Sequence, residues 1–321
     1  MIAVIIPYYQ RSAGVLAKAL ASIAAQQSCP LPVHVIVVDD ASPAPAGPEL
    51  ASAGPMPHTV QVIAQPNGGP GAARNKGLDN APPGTQYIAF LDSDDEWTPD
   101  HLARAVASLD RGYDFYFADH YQLGQTTSAF SRAGRIDTGQ HPSLSNAPAG
   151  LHAYQGEMLD QIIRGNLIGT STVVYSFERF TQQRFRIEFT NAGEDYLFWM
   201  ELVQKGAKIA FSSQCEARYG KGVNVYAGAG WGSEQHLLRL HNELKYRKTT
   251  IALFKLNASQ QSHIQSCIRD LRLAFARDLL HRLSHRKPLP WALLKQQFKL
   301  DPKTFLELPK NMMKSIVSRK K

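Results

Sequence analysis

At 321 residues the chain can hold one large α/β domain and an appendage, and its hydrophobic content of 44% is ample for a core. Three widely spaced cysteines, Cys29, Cys215 and Cys267, argue against a disulfide framework and against a zinc cluster. No apolar run approaches the ~18–20 residues of a membrane span, and the amino terminus enters a strand at once. We therefore expect an intracellular globular enzyme with neither a membrane helix nor a signal peptide.

The first hundred residues repeat a strand-then-helix pattern. Strands are predicted over residues 3–6, 33–38, 60–64 and 87–91, and an Ala-rich helix over residues 16–27 follows the first strand. Residues 41–57 are rich in Pro, Ala and Gly without periodicity, which predicts a mobile surface connection. The alternation predicts a Rossmann-like, mainly parallel sheet flanked by helices, an α/β fold that binds its ligands at the carboxyl ends of the strands.

Polar and charged residues follow the second and third predicted strands. Asp39 and Asp40 are adjacent and repel each other, so a purely structural role suits the pair poorly, and we assign Asp40 to a nucleotide base or ribose hydroxyl. The segment 67–78 combines glycines that permit tight turns with a helix start that favours an anion. Its glycine order matches neither a dinucleotide fold nor a P-loop. Arg74 and Lys76 face a ligand, solvent or a neighbouring acid.

Four carboxylates lie within five positions directly after the fourth strand, at Asp92, Asp94, Asp95 and Glu96. Residues two apart in an extended chain point the same way, so Asp92 and Asp94 can converge on one hard cation and leave positions for phosphate oxygens. This pattern predicts a divalent-metal and diphosphate site. The alternative is that Asp95 and Glu96 cap a following helix, for which Thr98-Pro99 is a good start signal.

Four segments, 4–9, 38–42, 67–77 and 90–95, resemble in order and spacing the motifs of the family 2 glycosyltransferases of the GT-A fold. The likeness covers residues 1 to about 225, with Gln10 where Asn is commoner and Ala41 in place of the usual glycine. It implies a UDP-sugar donor and Mn²⁺ or Mg²⁺ held by Asp94 and Asp92. The residues that it places at the donor are Pro7, Tyr9, Asp40, Asn67, Arg74 and Asp92.

The resemblance also implies a catalytic base, for which Asp195 is the candidate. Asp195 shares one helix face with Phe198, Trp199 and Leu202, so its carboxylate should line a cavity. There it would remove a proton from an acceptor hydroxyl that attacks the anomeric carbon in line, which inverts that centre. Glu194, in contrast, has an adequate structural explanation, because it stands three residues after Asn191 as in a helix capping box.

The remaining assignments concern the acceptor and a lid. The acceptor candidates are Asn166, Thr170, Glu194 and Trp231, and ordinary turn chemistry explains the first two equally well. Relatives often carry a diphosphate-binding histidine after the base, but none lies between His152 and His236, so Lys221 is its substitute. A flexible lid over the donor is the wider expectation. The Lys221-Gly and Gly-Trp231-Gly motifs bear a fainter likeness to bacterial exopolysaccharide glucosyltransferases.

The net charge of +8 is unevenly placed. Residues 281–321 hold eleven Lys and Arg against two acids, whereas the other 280 residues hold 24 against 25. Apolar side chains such as Trp291 and Phe298 interleave with them, which predicts attachment to an anionic membrane surface. A solvated tail that helps solubility is the alternative. Nucleic-acid binding is disfavoured, since the basic residues are confined to the tail and no recognition motif accompanies them.

We therefore expect a catalytic domain over residues 1–225 and a helical extension with a basic amphipathic tail over residues 226–321. The expected activity is inverting transfer of a hexose, from UDP-glucose or UDP-galactose by preference, to a lipid-linked saccharide in surface or exopolysaccharide synthesis. The expected location is cytoplasmic, on the inner face of the cytoplasmic membrane. A sugar nucleotidyltransferase would not explain Asp195, and a receiver-like domain lacks its lysine and switch hydroxyl. A non-catalytic nucleotide- or carbohydrate-binding module would show binding without turnover.

Overall fold

The computed structural model describes residues 1–165, 167–190, 193–222, 230–233 and 235–317. The chain forms two compact units, one of Met1–Thr190 with Glu194–Val223 and one of Asn191–Gly193 with Asn224–Lys321. The strands are β1 (Ile2–Tyr8), β2 (Val33–Asp39), β3 (Thr59–Ala64), β4 (Tyr87–Phe90), β5 (Glu96–Trp97), β6 (Phe115–Tyr121), β7 (Leu151–Ala153), β8 (Val174–Ser176) and β9 (Ile209–Arg218). The first unit's helices are α1 (Leu16–Ala24), α2 (Ala46–Ser52), α3 (Pro70–Asp79), α4 (His101–Leu109), α5 (Ala129–Ala133), α6 (Met158–Arg164) and α7 (Glu194–Gln204).

Within the described residues, nine strands form one sheet in the order β3-β2-β1-β4-β8-β6-β9-β5, with β7 paired to β9. β1 runs parallel to both β2 and β4, and β2 runs parallel to β3. Residues 4–6 of β1 are fully buried, as a central parallel strand covered on both faces requires. The four predicted strands and the mainly parallel α/β architecture are confirmed, and the carboxyl ends of β1, β2 and β4 lie at one edge.

The second half of the sheet brings a later segment to that edge. β8 lies antiparallel between β4 and β6, while β9 runs parallel to β6. The far end of β9 pairs with β5, where Glu96 is opposite Arg218 and Trp97 is opposite Ala217. Because β5 directly follows the acidic residues 92–95, the residues after Arg218 are carried to those acids.

The predicted irregular connection over residues 41–57 is wrong in its middle, because α2 forms there. Asp39 accepts a hydrogen bond from the Ala46 amide at 2.8 Å, at the start of the helix. Glu49 is buried and accepts from the Tyr8 hydroxyl at 2.6 Å and from the Leu16 amide at 2.9 Å. Long-range contacts of two acids, rather than any apolar periodicity, therefore define this helix.

Aromatic packing fixes the position of α7. Phe198, Trp199 and Leu202 are buried, as the spacing predicted. Phe198 stacks on Phe185 at 4.2 Å between ring centroids and meets Phe90 of β4 edge-on at 6.1 Å. The start of α7, with Glu194 and Asp195, is thereby held close to the end of β4.

The second unit is helical, with α8 (His236–Leu253), α9 (Ala258–Ser284), α10 (Trp291–Leu300), α11 (Lys303–Leu306) and α12 (Leu308–Val317). α8 and α9 confirm the expected helical extension. The carboxyl-terminal helices are folded as part of this unit, because Leu294 joins the apolar cluster of Leu240 and Phe275, against which Met312 packs. In the described part of the chain, no helix combines the length and apolarity needed to cross a bilayer.

Candidate active site

The acidic loop between β4 and β5 is held by hydrogen bonds from several elements. Asp95 is buried, and its carboxylate accepts from the Ser171 hydroxyl at 2.5 Å and from the Gly220 amide at 2.9 Å. The Asp92 amide donates to the same Ser171 oxygen at 3.0 Å. The alternative of Asp95 and Glu96 as helix caps is wrong, because α4 begins at His101 after Asp100 and Glu96 lies in β5.

Arg74 links the acidic loop to α7. It extends from α3, is 4% exposed, and places one Nη 2.7 Å from Asp92 and the other 3.3 Å from Glu194. Its guanidinium also lies over the Phe185 ring, 5.3 Å from the centroid. Of the three surroundings that the sequence left open for Arg74, the structure shows neighbouring acids.

Asp94 is covered by a segment that we call the glycine strap, residues 219–222. The Gly222 amide donates to Asp94 Oδ2 at 2.5 Å. A Cβ on Gly220 would lie 1.6 Å from the Asp94 carbonyl oxygen, so only glycine permits this approach. Burial first, and then the charge of Asp92, raises the pKa of the Asp94 carboxyl.

The donor set fits a hard divalent cation. The sequence assigns Asp92 and Asp94 as metal ligands, and among the described residues no cluster of three or more His, Cys, Asp or Glu side chains could hold a metal by itself. One or two carboxylates completed by phosphate oxygens and water is the usual arrangement for Mg²⁺ beside a nucleotide. The pKa of Asp95 is also raised well above its ordinary value, by burial and then by Asp92 and Asp94, and a cation would relieve this repulsion.

Both acids at the end of β2 hold neighbouring loops. Asp40 accepts hydrogen bonds from Gln65 Nε2 at 2.7 Å and from the Gly68 and Gly69 amides at 2.8 Å each. The Asn67 side chain donates to the Asp40 carbonyl at 2.9 Å. The expectation that a structural role suits this pair poorly was therefore wrong. With three of about four acceptor positions of its carboxylate in use, Asp40 keeps room for one more donor, and its contact with a base stays a prediction.

The end of β1 borders the acidic loop. Pro7 and Tyr9 are partly exposed there, beside the strand end that carries Asp40. Gln10 is buried and donates to the Ser93 hydroxyl at 3.1 Å, within the acidic loop. The end of β1, which is predicted to bind the donor, is thus joined by a hydrogen bond to the acidic loop, which is predicted to bind the metal.

The two acids at the start of α7 differ in their surroundings. Glu194 is buried, and its Oε2 has no hydrogen-bond partner within the described residues. Burial, followed by the charge of Asp195, raises the pKa of Glu194 to about 7, although Arg74 opposes the shift. Asp195 is partly exposed, with Oδ2 3.5 Å from the Thr170 hydroxyl. Burial also raises the pKa of Asp195, again opposed by Arg74.

Tyr219, which the sequence reasoning missed, lies at this site. The Tyr219 ring stacks on buried His120 at 4.7 Å between centroids, and a Cβ on Gly169 would lie 2.5 Å from the Tyr219 hydroxyl. Burial, and then the charges of Asp95, Asp92 and Asp195, raise the pKa of Tyr219 well above its ordinary value. A phenol hydroxyl therefore lies among the acids. In the sequence, Tyr219 is marked only by its position before Gly220 and Gly222. The sequence reasoning assigned the diphosphate-binding role in this segment to Lys221.

The other predicted site residues have different positions. Lys221 is exposed on the glycine strap. Trp231 belongs to the second unit, where its ring meets those of His236 and His281 at 5.7 Å and 5.6 Å. Asn166 and the predicted cap residue Asn191 lie outside the described residues. The structure thus brings predicted site residues from several elements to the acidic loop. The loop itself holds Asp92 and Asp94, and around it lie Arg74, Thr170, Glu194 and Asp195.

Comparison with known proteins agrees with this geometry. The family model described as "Glycosyl transferase family 2" matches residues 3–178. The succinoglycan biosynthesis protein ExoW of Rhizobium meliloti (strain 1021) is 33% identical over 307 residues, which cover 94% of each chain.

Two solved structures share the fold at low identity. TarS 1–349 from S. aureus, in complex with UDP-GlcNAc, has a TM-score of 0.53 at 18% identity, over 96% of this chain and 91% of that one. The mannosyltransferase PcManGT from Pyrobaculum calidifontis, in complex with GDP-Man and Mn²⁺, has a TM-score of 0.53 at 17% identity, over 98% and 86%. Both likenesses concern the fold alone.

Proposed function

The chain belongs to glycosyltransferase family 2, and we propose that it is a metal-dependent, inverting transferase that moves a hexose from a UDP-sugar to a saccharide hydroxyl. The observation that carries this proposal is the convergence of Asp92 and Asp94 from one element and Asp195 from another. Buried Arg74 contacts both the acidic loop and α7, so the two groups of acids have a fixed separation.

The donor side rests on the ends of β1, β2 and β4. The Asn67 side chain donates a hydrogen bond to the Asp40 carbonyl there, and Pro7 and Tyr9 lie at the adjoining end of β1. Of the donors, we favour UDP-glucose or UDP-galactose, and the UDP-GlcNAc complex of TarS supports a uridine nucleotide. Lys221 would contact the diphosphate, because it is exposed and its neighbour Gly222 lies against Asp94.

Asp92 and Asp94 would hold Mn²⁺ or Mg²⁺, which supplies positive charge to the leaving diphosphate. The Mn²⁺ complex of the mannosyltransferase with the same fold supports a divalent metal. This chain's own contribution is to keep two carboxylates at one edge despite their repulsion. Arg74 does so for Asp92, and the Gly222 amide does so for Asp94.

Asp195 would act as the general base. The Asp195 residue is partly exposed and its carboxylate accepts a hydrogen bond from Thr170, which would hold its orientation toward an acceptor hydroxyl. Its raised pKa makes it a stronger base than an ordinary aspartate, and such a base contributes about 10²–10⁴-fold to the rate. Attack in line from that side would convert an α-linked donor into a β-linked product.

For the acceptor we propose a lipid-linked saccharide used in exopolysaccharide or other cell-surface glycan synthesis, at the cytoplasmic face of the membrane. The succinoglycan biosynthesis relative supports this class. Thr170 borders the base, whereas Asn166, Glu194 and Trp231 remain acceptor assignments from the sequence. A nucleotidyltransferase has no use for a base at Asp195, and a binding module would release no UDP.

The test is a donor screen by UDP release with lipid-linked oligosaccharide acceptors, with Mn²⁺, Mg²⁺ or a chelator. UDP-glucose, UDP-galactose, UDP-GlcNAc and GDP-mannose are compared, and nuclear magnetic resonance gives the anomeric configuration of the product. We expect release that needs both metal and acceptor, with inversion. Binding without release, or a retained anomer, would count against the proposal.

The first prediction concerns Asp94→Ala, which removes a metal ligand and the countercharge that the metal brings to the diphosphate. We expect UDP binding to lose its dependence on Mn²⁺ in calorimetry, whereas Asp79→Ala, at an exposed ion pair with Arg184, should leave that dependence unchanged. Unaltered metal-dependent affinity in Asp94→Ala would remove the metal assignment.

A further inference from the structure

The last three helices of the second unit expose large apolar side chains. The exposed fraction is 67% for Trp291, 55% for Phe298, 81% for Leu306 and 63% for Met313. Isolated exposed apolar residues are ordinary, but such a density over residues 291–316 is typical of an interaction surface.

These side chains follow helical spacing on α10 and α12. Trp291, Lys295 and Phe298 are separated by four and three residues, and so are Pro309, Met313 and Ile316, so each helix presents an exposed stripe. The opposite side of α12 is occupied, because Asn311 and Ser315 are buried and Met312 packs on the apolar cluster. The stripes therefore remain on the surface after the unit has folded.

The charge around the stripes has one sign. Seven basic side chains between residues 286 and 314 are exposed: Arg286, Lys287, Lys295, Lys299, Lys303, Lys310 and Lys314. The two acids of the same region are withdrawn, since Asp301 is buried in ion pairs with Arg272 and Lys248, and Glu307 pairs with Lys303 and Arg272. No acid of residues 285–317 is exposed.

From this combination we propose that α10, α11 and α12 form a docking surface for an anionic lipid bilayer, with Trp291, Phe298, Leu306 and Met313 inserted at the headgroup level. Lysines beside an inserted apolar stripe keep their charge at the lipid phosphates while their methylene stems lie along it. This contact would bring the enzyme to the bilayer that holds the lipid-linked acceptor. The proposal rests on the proposed function only for the reason why the enzyme would bind a membrane. The contact itself depends on surface chemistry alone.

An anionic surface is the occupant that the charge favours. A second copy that docked through the same surface would bring seven exposed basic groups against seven others, with no exposed acid of residues 285–317 to pair with them. Lipid phosphates supply the missing negative charge at high density, and each basic residue close to such a surface adds to binding. Salt should weaken the contact, because the attraction decays over a Debye length of about 8 Å at physiological ionic strength.

The test is co-sedimentation of the full chain with vesicles of phosphatidylcholine alone, or with equal parts of phosphatidylglycerol, at low and high salt. Two triple variants separate the two forces: Trp291→Ser with Phe298→Ser and Met313→Ser, and Lys295→Gln with Lys299→Gln and Lys314→Gln. The matched control is Leu123→Ser with Ile187→Ser, which removes exposed apolar side chains from the first unit. All altered side chains are exposed, so the fold should persist, and circular dichroism checks this.

We expect wild type and control to bind the anionic vesicles and not the neutral ones, with loss at high salt. Each triple variant should bind at least about 10-fold more weakly, since roughly a tenfold change corresponds to 1.4 kcal/mol and each charge contributes about 1 kcal/mol. No sedimentation of the wild type, or equal binding by the triple variants, would overturn the proposal. So would a concentration-dependent dimer in ultracentrifugation that the apolar variant abolishes while vesicles bind neither protein.

Tryptophan fluorescence tests whether Trp291 itself contacts the bilayer. In a Trp231→Phe background, Trp291 is the exposed tryptophan that remains, because Trp97 and Trp199 are buried. Its emission should shift to the blue and be quenched by brominated lipid when anionic vesicles are added. UDP release by the wild-type chain with the same vesicles reports separately on the proposed transfer: vesicle binding without release would contradict the function and leave the surface standing, and release without binding would do the reverse.

Discussion

Tyr219 shows how a single hydroxyl can enter a site that carboxylates dominate. Its ring is fixed by His120, and Gly169 lacks the Cβ that would otherwise occupy the position of the hydroxyl. Because burial and three nearby acids raise its pKa, the phenol stays protonated at neutral pH and can donate its hydrogen to them or to a substrate oxygen. The residue therefore places one hydrogen-bond donor beside the acids.

Tyr219→Phe should keep the ring stack and remove this donor. We expect transfer to slow about 10- to 100-fold, the range that corresponds to about 1.5–3 kcal/mol for a hydrogen bond to a charged group. The melting temperature should stay unchanged, and the control Tyr121→Phe, on the neighbouring strand, should transfer at the wild-type rate. Steady-state kinetics decide it, and wild-type turnover by Tyr219→Phe would leave the hydroxyl without a role.

Residue patterns predicted the acidic positions of the site better than their partners. Asp92, Asp94 and Asp195 stand out in sequence because charge directly follows a buried strand or lies on an apolar helix face. Ser171 and Tyr219 carry no such local signal, since a serine and a tyrosine are ordinary in turns. They reach the acids because β8 pairs with β4 and β9 pairs with β5, and both pairings join segments that are distant in sequence.

At the scale of elements, local sequence patterns predict some strands and helices, whereas an element that distant residues stabilise cannot be predicted from its own sequence. β1 to β4 follow from short apolar runs, and α7 follows from its apolar face. α2 could not be predicted, because Glu49 stabilises it through Tyr8 and Leu16, which lie more than 30 positions away. Irregular composition alone therefore says little about a segment whose contacts are distant.

Glu49→Ala tests this account of α2. The substitution leaves the Tyr8 hydroxyl with one acceptor, the Ala44 carbonyl, and the Leu16 amide without its carboxylate. We expect a loss of about 2–3 kcal/mol in the free energy of unfolding, because a buried donor loses a charged partner. Urea unfolding measures it, with exposed Glu178→Ala as the control. Equal stability of the two variants would mean that α2 forms without this network.

At the scale of the whole molecule, the carboxyl-terminal region is both a folded part of its unit and a charged surface. Arg272 of α9 binds Asp301 through two hydrogen bonds of 2.7 Å and 2.8 Å, and Thr304 adds a third at 2.7 Å. Burial raises the pKa of Asp301, but the hydrogen bonds from Arg272, Thr304 and Lys248 together outweigh it and hold that pKa well below its usual range. Sequence showed the charge of this region clearly, but composition could not show that its apolar residues also complete a helical core.

Truncation after Leu280 should therefore destabilise the protein rather than trim a tail. It removes Leu294 from the apolar cluster, worth about 2–5 kcal/mol by itself, and leaves Arg272 without Asp301. Truncation after residue 317, beyond every residue of that cluster, should keep the wild-type melting temperature. Thermal unfolding of both proteins is the measurement, and identical melting curves would show that residues 281–317 do not support the second unit.

The central claim is that Asp195 removes the acceptor proton while Asp92 and Asp94 serve the donor. Asp195→Asn keeps the shape of the side chain and removes its basicity, so the most direct measurement pairs its affinity for UDP and Mn²⁺ with its rate of transfer. The account predicts an affinity within a few-fold of wild type and a transfer rate lower by at least ~10². Transfer at the wild-type rate would contradict it and move the base to another carboxylate, with Glu194 as the nearest alternative.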